Sequence, residues 1–484
     1  MCPENPPPKS DATPRTRVRA VVIALLLAAV ALSLASGRAA QAPSATAVLG
    51  EGGRAALAQV AALHAQVSAR RGQGDSRGAA RALAAGGAIL AQLRARTPFD
   101  PDVLRHLGDN AYWLGQLSKD RGDFDAAAIH WKAYLELAGQ LSRRQPGNVD
   151  WWIERSYALN NLGALATARA EWARAAYAFT RSIALKRRAL AARPDDASLM
   201  VDLADSYSWL GMAREAQGQL AAAEQWYGQE MALVARLRAL SPHDVQRRHR
   251  EVRALWRRAA LHLVRGSDAA ALADYRAAAR GFDALVEAEP ENRIWQVEQA
   301  SVALRIEDIL ARTPQAPGAS ARLGAIHARL DRLRQLDPGQ RSWSQIEAAA
   351  RIRLGAALLR EGQVEQAQRH ARAAAARLDA LVAGAAGHAH LRVATAGALL
   401  LLADIDDALN DRTGARRACR QAHALLDPAG SGALDHRVLD PWVRAKLCLG
   451  ERDGARLAAA RLHAIGYLDG DYRQFLSTRL KGPP

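Results

Sequence analysis

Histidine, cysteine and the charged side chains are where chemistry would reside, and their spacing offers little to catalysis. Thirteen histidines are scattered through 484 residues, and only His388 and His390 stand close together. Two imidazoles at a loop or helix start, with no further ligand nearby in sequence, predict no metal site. The cysteines Cys2, Cys419 and Cys448 are too few for a disulfide framework. No HExxH, CxxC, Gly-Lys-Ser/Thr phosphate loop or GxSxG occurs. Metal hydrolysis, thiol redox, phosphoryl transfer and serine hydrolysis therefore lose their usual signatures. The expectation is a protein that is not an enzyme and takes no cofactor.

What remains is binding chemistry, in two sets. The first is a polar row dotted with aromatics: Asp109, Tyr112, Gln116, Tyr157, Asn160, Asp205, Ser208 and Met212. The second is a basic stretch holding Arg236, Arg238, Arg247, Arg248, Arg250, Arg253, Arg257 and Arg258. Arg250, Arg253 and Arg257 share one face of a helix, with Arg247 a turn earlier. That stretch reads either as a solvated basic helix or as a patch for an anionic partner: an acidic protein, phospholipid headgroups or envelope polysaccharide.

The elements that position these residues are repeats. Prolines 98, 146, 194, 242, 290 and 338 stand 48 residues apart. Alanines 79, 127, 175, 223, 271, 319, 367 and 415 keep the same step, and Gly74, Gly122, Gly218, Gly266 and Gly362 form a partial third column. A fixed period of this size is the signature of a stacked array. The abundance of Ala, Leu and Arg favours helix nearly throughout. Within a unit a Leu-Gly pair (Leu114-Gly115, Leu162-Gly163, Leu210-Gly211) precedes a turn, then the column alanine. A ring follows four residues later: Trp131, Phe179, Tyr227 or Tyr275. Gly and Ala allow two helices to approach closely, the ring fills the gap to the neighbouring pair, and proline starts the link onward.

This order of Leu-Gly, Ala, aromatic and Pro resembles the tetratricopeptide repeat. The resemblance covers roughly residues 51–470 and is densest from 99 to 290. The family repeat is about 34 residues long, and here each helix gains about two turns, or roughly 10 Å, beside the proline. Trp151, Trp295 and Trp343 share one register inside the added part and are expected to pack it. The resemblance implies an all-α, right-handed superhelical solenoid of antiparallel helix pairs, about eight to nine repeats. Its concave wall, lined by the first helix of each pair, would suit an extended peptide or a partner helix. Tyr112, Gln116, Asn160 and Ala164 stand where some relatives place the Lys and Asn that grip a terminal carboxylate. The required cations are missing, which argues against that clamp.

Further expectations follow. Residues 313–319 (Thr-Pro-Gln-Ala-Pro-Gly-Ala) replace a regular turn and loosen the stack or break it in two. Cys419 falls in the ring register and belongs to the core, while Cys448 lies near the end of the next helix. Their phases place them about two turns apart, so the bridge is not expected. Residues 1–19 form a basic, proline-rich tail. Residues 20–36 are uncharged and read as a membrane anchor or, alternatively, a signal peptide. Positive charges ahead of that segment place the body outside the cytoplasmic membrane, in the periplasm of a bacterium. A linker at 37–50, the repeats at 51–434 and a C-terminal hairpin with a capping helix at 435–484 complete the organisation. The net charge of +17 favours anionic partners weakly, and nucleic acid is not expected outside the cytoplasm. The functional expectation is a scaffold that holds a protein or peptide. The alternatives are a sensory module of a membrane signalling system, which long repeats of this kind resemble, and an envelope enzyme with an unrecognised site.

Overall fold

A computed structural model describes residues 49–312, 317–383, 389–430 and 433–480. The tail, the apolar segment 20–36, most of the linker and His388 lie outside the described residues. Among those described, no helix is long and apolar enough to cross a membrane.

The described chain is helical throughout and consists of nine pairs followed by a single helix. The first pairs are α1 (Glu51–Gly72) with α2 (Ser76–Arg96), α3 (Pro101–Asp120) with α4 (Phe124–Arg144), and α5 (Val149–Ala168) with α6 (Trp172–Ala192). Next come α7 (Ala197–Ala216) with α8 (Leu220–Leu240), α9 (Val245–Val264) with α10 (Asp268–Ala288), and α11 (Arg293–Leu310) with α12 (Ala319–Leu336). Last are α13 (Arg341–Arg360) with α14 (Val364–Ala383), α15 (Ala389–Ala408) with α16 (Arg412–Gly430), α17 (His436–Leu449) with α18 (Arg452–Ala464), and α19 (Gly470–Arg479). Within each pair the two helices pack on each other, and from α2 to α16 each second helix packs on the first helix of the following pair.

The columns have separate physical causes. The column prolines lie in the links, and two residues on comes a column of N-caps. Asp100, Asn148, Asp196, Asp244 and Asn292 each accept a hydrogen bond from backbone N–H groups of the following first turn. The glycine column marks a left-handed residue in each within-pair turn, with φ of +76° at Gly74 and Gly122, +72° at Gly218 and Gly266, and +76° at Gly362. Where the column lacks glycine, Ala170 (φ 56°) and Asn410 (φ 61°) take the same conformation. The Leu-Gly glycines sit against the ring column. A Cβ on Gly115 would fall 2.3 Å from Trp131, on Gly163 2.6 Å from Phe179 and on Gly211 2.5 Å from Tyr227. Trp131, Phe179, Tyr227 and Tyr275 are buried, as are Trp151, Trp295 and Trp343 in the lengthened first helices.

First helices of successive pairs touch one another directly, at α1–α3, α5–α7, α11–α13, α13–α15 and α15–α17, and the second helices make no comparable contact. A stack tighter along one row curves toward that row, so the first helices line its concave side.

Two expectations are corrected here. The array does not break near 313–319. One apolar cluster joins Val297 and Leu304 of α11, Leu323 and Leu330 of α12, Trp343 and Leu354 of α13, and Leu401 and Ile405 of α15. Cys419 and Cys448 are bridged, with Cα atoms 6.2 Å apart. In an antiparallel pair, residues equally far from the link face each other. Pro428 does not end α16, which runs on to Gly430. That shifts the link toward Ala433–Asp435, and the two cysteines become equidistant from it.

The last three helices also turn back onto the middle of the array. Leu439, Trp442, Val443, Leu462 and Tyr472 share a core with Leu220, Tyr227 and Leu261 of α8 and α9. The Leu468 N–H donates to the Val264 carbonyl (2.8 Å), and Arg312 reaches Asp469 at 3.5 Å. Gly218 and Gly266 lie under this contact. A Cβ there would meet the carbonyl oxygens of Leu434 at 2.9 Å and Leu468 at 2.6 Å.

Candidate functional site: two hollows on the concave wall

The polar row does not form one groove. It divides between two hollows two repeats apart. Asp109, Tyr112, Tyr157 and Asn160 line the first, of about 480 Å³, together with Trp113, Tyr134, Glu154 and Asn161. Asp205 and Ser208 line the second, of about 320 Å³, with Trp209, Glu230, His249 and the basic-stretch residues Arg250, Arg253 and Arg257. Gln116, Met212 and Arg247 line neither.

In the first hollow α3 supplies Asp109, Tyr112 and Trp113, α4 supplies Tyr134, and α5 supplies the rest. Tyr112 lies edge-on to Trp113 and to Tyr134, with ring centres 5.0 and 6.0 Å apart. The Tyr134 hydroxyl donates to Glu154. Burial pushes the Glu154 carboxyl above the usual carboxylate range; the Tyr134 hydrogen bond opposes that shift and the Asp109 charge adds to it. Tyr157 donates to Asp202 (2.6 Å), and Asn160 donates to the Ser206 hydroxyl (3.1 Å).

Behind this wall lies Lys186 of α6, a lysine 1 % exposed. Its ammonium donates to the Asp202 carbonyl and the Ser206 hydroxyl, both at 2.9 Å, and stands 5.5 Å from the centre of the Tyr157 ring. Burial lowers its pKa to about 8, with Asp202 and Asp205 acting in the opposite sense. It holds α5, α6 and α7 together from inside.

The second hollow is zwitterionic. Arg250 donates to Asp205 (2.6 Å), and Arg257 pairs with the buried Glu230. Arg253 stands 3.8 Å from Glu298, which also meets His249 at 2.5 Å. Arg247 is spent on the Leu237 carbonyl and Asp244, Arg238 on Glu251, and Arg258 on Asp274 through both ends of its fork. The basic stretch is therefore largely neutralised within the fold.

A third grouping escaped the sequence reading. Ligand atoms of His64 on α1 and of His106 and Asp109 on α3 lie within 4.8 Å of one another. The His106 Nε2 meets the Arg105 guanidinium at 3.3 Å and its Nδ1 faces Asp109 at 3.5 Å, while His64 bonds Asn110 at 3.3 Å. The His64–Asn110 contact crosses from α1 to α3 and fastens the first two pairs together.

Most of the missed residues of the hollows had a signal. Trp113 and Trp209 share a register two repeats apart, and Glu154 lies one turn before Tyr157. Tyr134 and Glu230 come from second helices, whereas the concave wall is expected from the first helices.

Fold and site together define an all-helical repeat solenoid with a pitted concave wall. No protein-family model matches the chain, and no curated protein does. Among solved structures it is similar to the apo form of RapI, at 9 % identity over 66 % of this chain and 99 % of that one, with a TM-score of 0.44. It is similar to a Rap protein complexed with competence and sporulation factor, at 12 % identity over 87 % and 99 %, with a TM-score of 0.42. Yeast Tom70 follows at 11 % identity over 87 % and 94 %, with a TM-score of 0.37. What those names say is bound belongs to those proteins.

Proposed function

We propose that this protein is a non-enzymatic scaffold that holds an extended segment of a partner protein along its concave wall, and that it does so on the periplasmic side of the cytoplasmic membrane. The observation that carries the reading is the pair of hollows at equivalent registers, since successive first helices present polar and aromatic side chains at regular intervals along one line. Such a line suits a chain of residues better than a single small molecule. Two features support the location. Residues 20–36 are uncharged with arginines ahead of them. The Cys419–Cys448 bridge is of a kind that persists in oxidising compartments.

The partner reading is tested by placing a photoreactive benzophenone amino acid at Tyr112 or Ser208 in the full chain in cells, with Tyr177 as the control. Tyr177 lies on a second helix and is 62 % exposed. Discrete adducts from Tyr112 and Ser208 but not from Tyr177 are expected. No adduct, or the same adducts from all three, overturns the reading. For the location, an alkaline phosphatase fused after residue 50 is expected to be active, and an inactive fusion overturns it.

A further inference from the structure

The first hollow differs in charge from the rest of the molecule. Lysine and arginine outnumber aspartate and glutamate by 66 to 49 in the chain. Yet the eight residues that line this hollow include Asp109 and Glu154 and not one cation. Glu154 is half-buried, and the hydrogen bond shown for its carboxylate comes from a neutral phenol. A carboxylate withdrawn from water without an ion-pair partner is costly, and the cost is removed when a cation arrives. Four rings surround the same space: Tyr112, Trp113, Tyr134 and Tyr157. Their faces carry the negative end of the ring quadrupole and attract cations. At the rim the chain's own Arg71 already lies 5.6 Å from the centre of the Trp113 ring while paired with Asp120 at 2.8 Å. Arginine stacked on a ring and bonded to a carboxylate is thus an arrangement these residues make.

We infer that the first hollow is a subsite for a cationic side chain of the bound segment, and that the side chain is arginine. A planar guanidinium stacks on an aromatic face and bonds a carboxylate through its fork, which an ammonium cannot do in both respects. About 480 Å³ accommodates it with water to spare. Asp109 and Glu154 supply the charge, Tyr112 and Tyr157 the faces, and Asn160 an amide at the edge. The second hollow differs, because Arg250 and Arg257 already hold Asp205 and Glu230 in arginine salt bridges.

This rests on the scaffold reading and is tested apart from it. Short blocked peptides carrying one Arg, Lys, citrulline or Glu, each with a fluorescein label, are titrated against the full chain in detergent by fluorescence polarisation. The Arg peptide is expected to bind saturably, the Lys peptide more weakly, and the citrulline peptide at least about tenfold more weakly, because citrulline keeps the shape and loses the charge. Glu154→Gln and Asp109→Asn are each expected to weaken Arg binding about five- to tenfold while helical circular dichroism stays unchanged. Equal binding of Arg and citrulline peptides, or no saturable Arg binding up to about 10 mM, overturns the inference. If Tyr112 still crosslinks a partner in cells, only the arginine subsite falls; if crosslinking fails as well, the scaffold reading falls with it.

Discussion

Gly163→Ala is the sharpest test of how the repeats are held. The added Cβ would lie 2.6, 2.8 and 2.9 Å from Phe179 Cε1, Cζ and Cδ1, where ordinary contact begins near 3.4 Å. The ring must retreat by nearly 1 Å. It is fully buried among Ala175, Ala176, Leu203, Tyr207 and Leu210. Overpacking of this kind costs about 1–3 kcal/mol, and the gain in helix propensity from Gly to Ala returns up to about 1 kcal/mol. A net loss of about 1–2 kcal/mol is expected, placed in α5, α6 and α7. Because a solenoid opens locally, the assay is amide hydrogen exchange read helix by helix. Protection in α5 and α6 should fall roughly 5- to 30-fold, more than in α13 or α14. Adding Phe179→Leu should recover part of the loss, a coupling of at least about 0.5 kcal/mol. Gly397→Ala is the control: it is helical with nothing within 4 Å of its Cβ position, so it should stabilise by about 0.5–1 kcal/mol. Unchanged or higher protection in Gly163→Ala would refute the close-approach account of the Leu-Gly column.

Ala170→Gly should stabilise the α5–α6 turn by about 0.5–1 kcal/mol in urea unfolding, since Ala170 holds φ 56° where the other units place glycine; a loss of stability would contradict this. Cys419→Ser with Cys448→Ser should lose about 3–4 kcal/mol in the C-terminal helices, the loop-closure value for a separation of 29 residues. A wild-type protein that unfolds identically with and without dithiothreitol would exclude the bridge. Lys186 gives a pH dependence: with a folded pKa of about 8 against 10.5, the unfolded chain binds more protons between those values, so stability rises with pH across that window, by about 3 kcal/mol. Lys186→Met should lack this rise, and parallel pH profiles for the two proteins would refute the assignment.

The repeat was legible because its columns are steric. Proline marks links, and the left-handed turn selects glycine at Gly74 or Gly122 and tolerates Ala170 at a cost. A ring four residues past the alanine has only the gap between pairs to enter. The return of α17–α19 onto the array was not legible, for a reason visible at Gly218 and Gly266. Their positive φ already accounts for glycine, so the second demand, the carbonyls of Leu434 and Leu468 pressed against them, leaves no additional mark. The cysteine bridge was missed through one element boundary. Helix α16 runs past Pro428 to Gly430, and in an antiparallel pair a shift of the link by one residue changes the offset between facing positions by two.

The site was half legible, and the missing half is a matter of charge. Along the sequence Arg250, Arg253 and Arg257 form a basic stripe. In the array each faces an acid on another helix: Asp205 is 45 residues away, Glu230 is 27 residues away, and Glu298 lies on the next first helix. Arg71–Asp120 and Arg169–Asp125 repeat this pairing at separations of 49 and 44 residues, close to one period. When the repeat length sets which helices touch, charges one period apart become neighbours, and a run of one sign along a helix ceases to describe its surface. By the same logic, Asp109 and Glu154 are unremarkable acids on two different helices of a basic chain. They stand 45 residues apart, near enough to one period to be brought together, and neither is joined to an arginine by a salt bridge among the described residues. The unusual potential of this molecule is therefore expected where arginine is missing from the ladder, in the acidic hollow, rather than where arginine is densest.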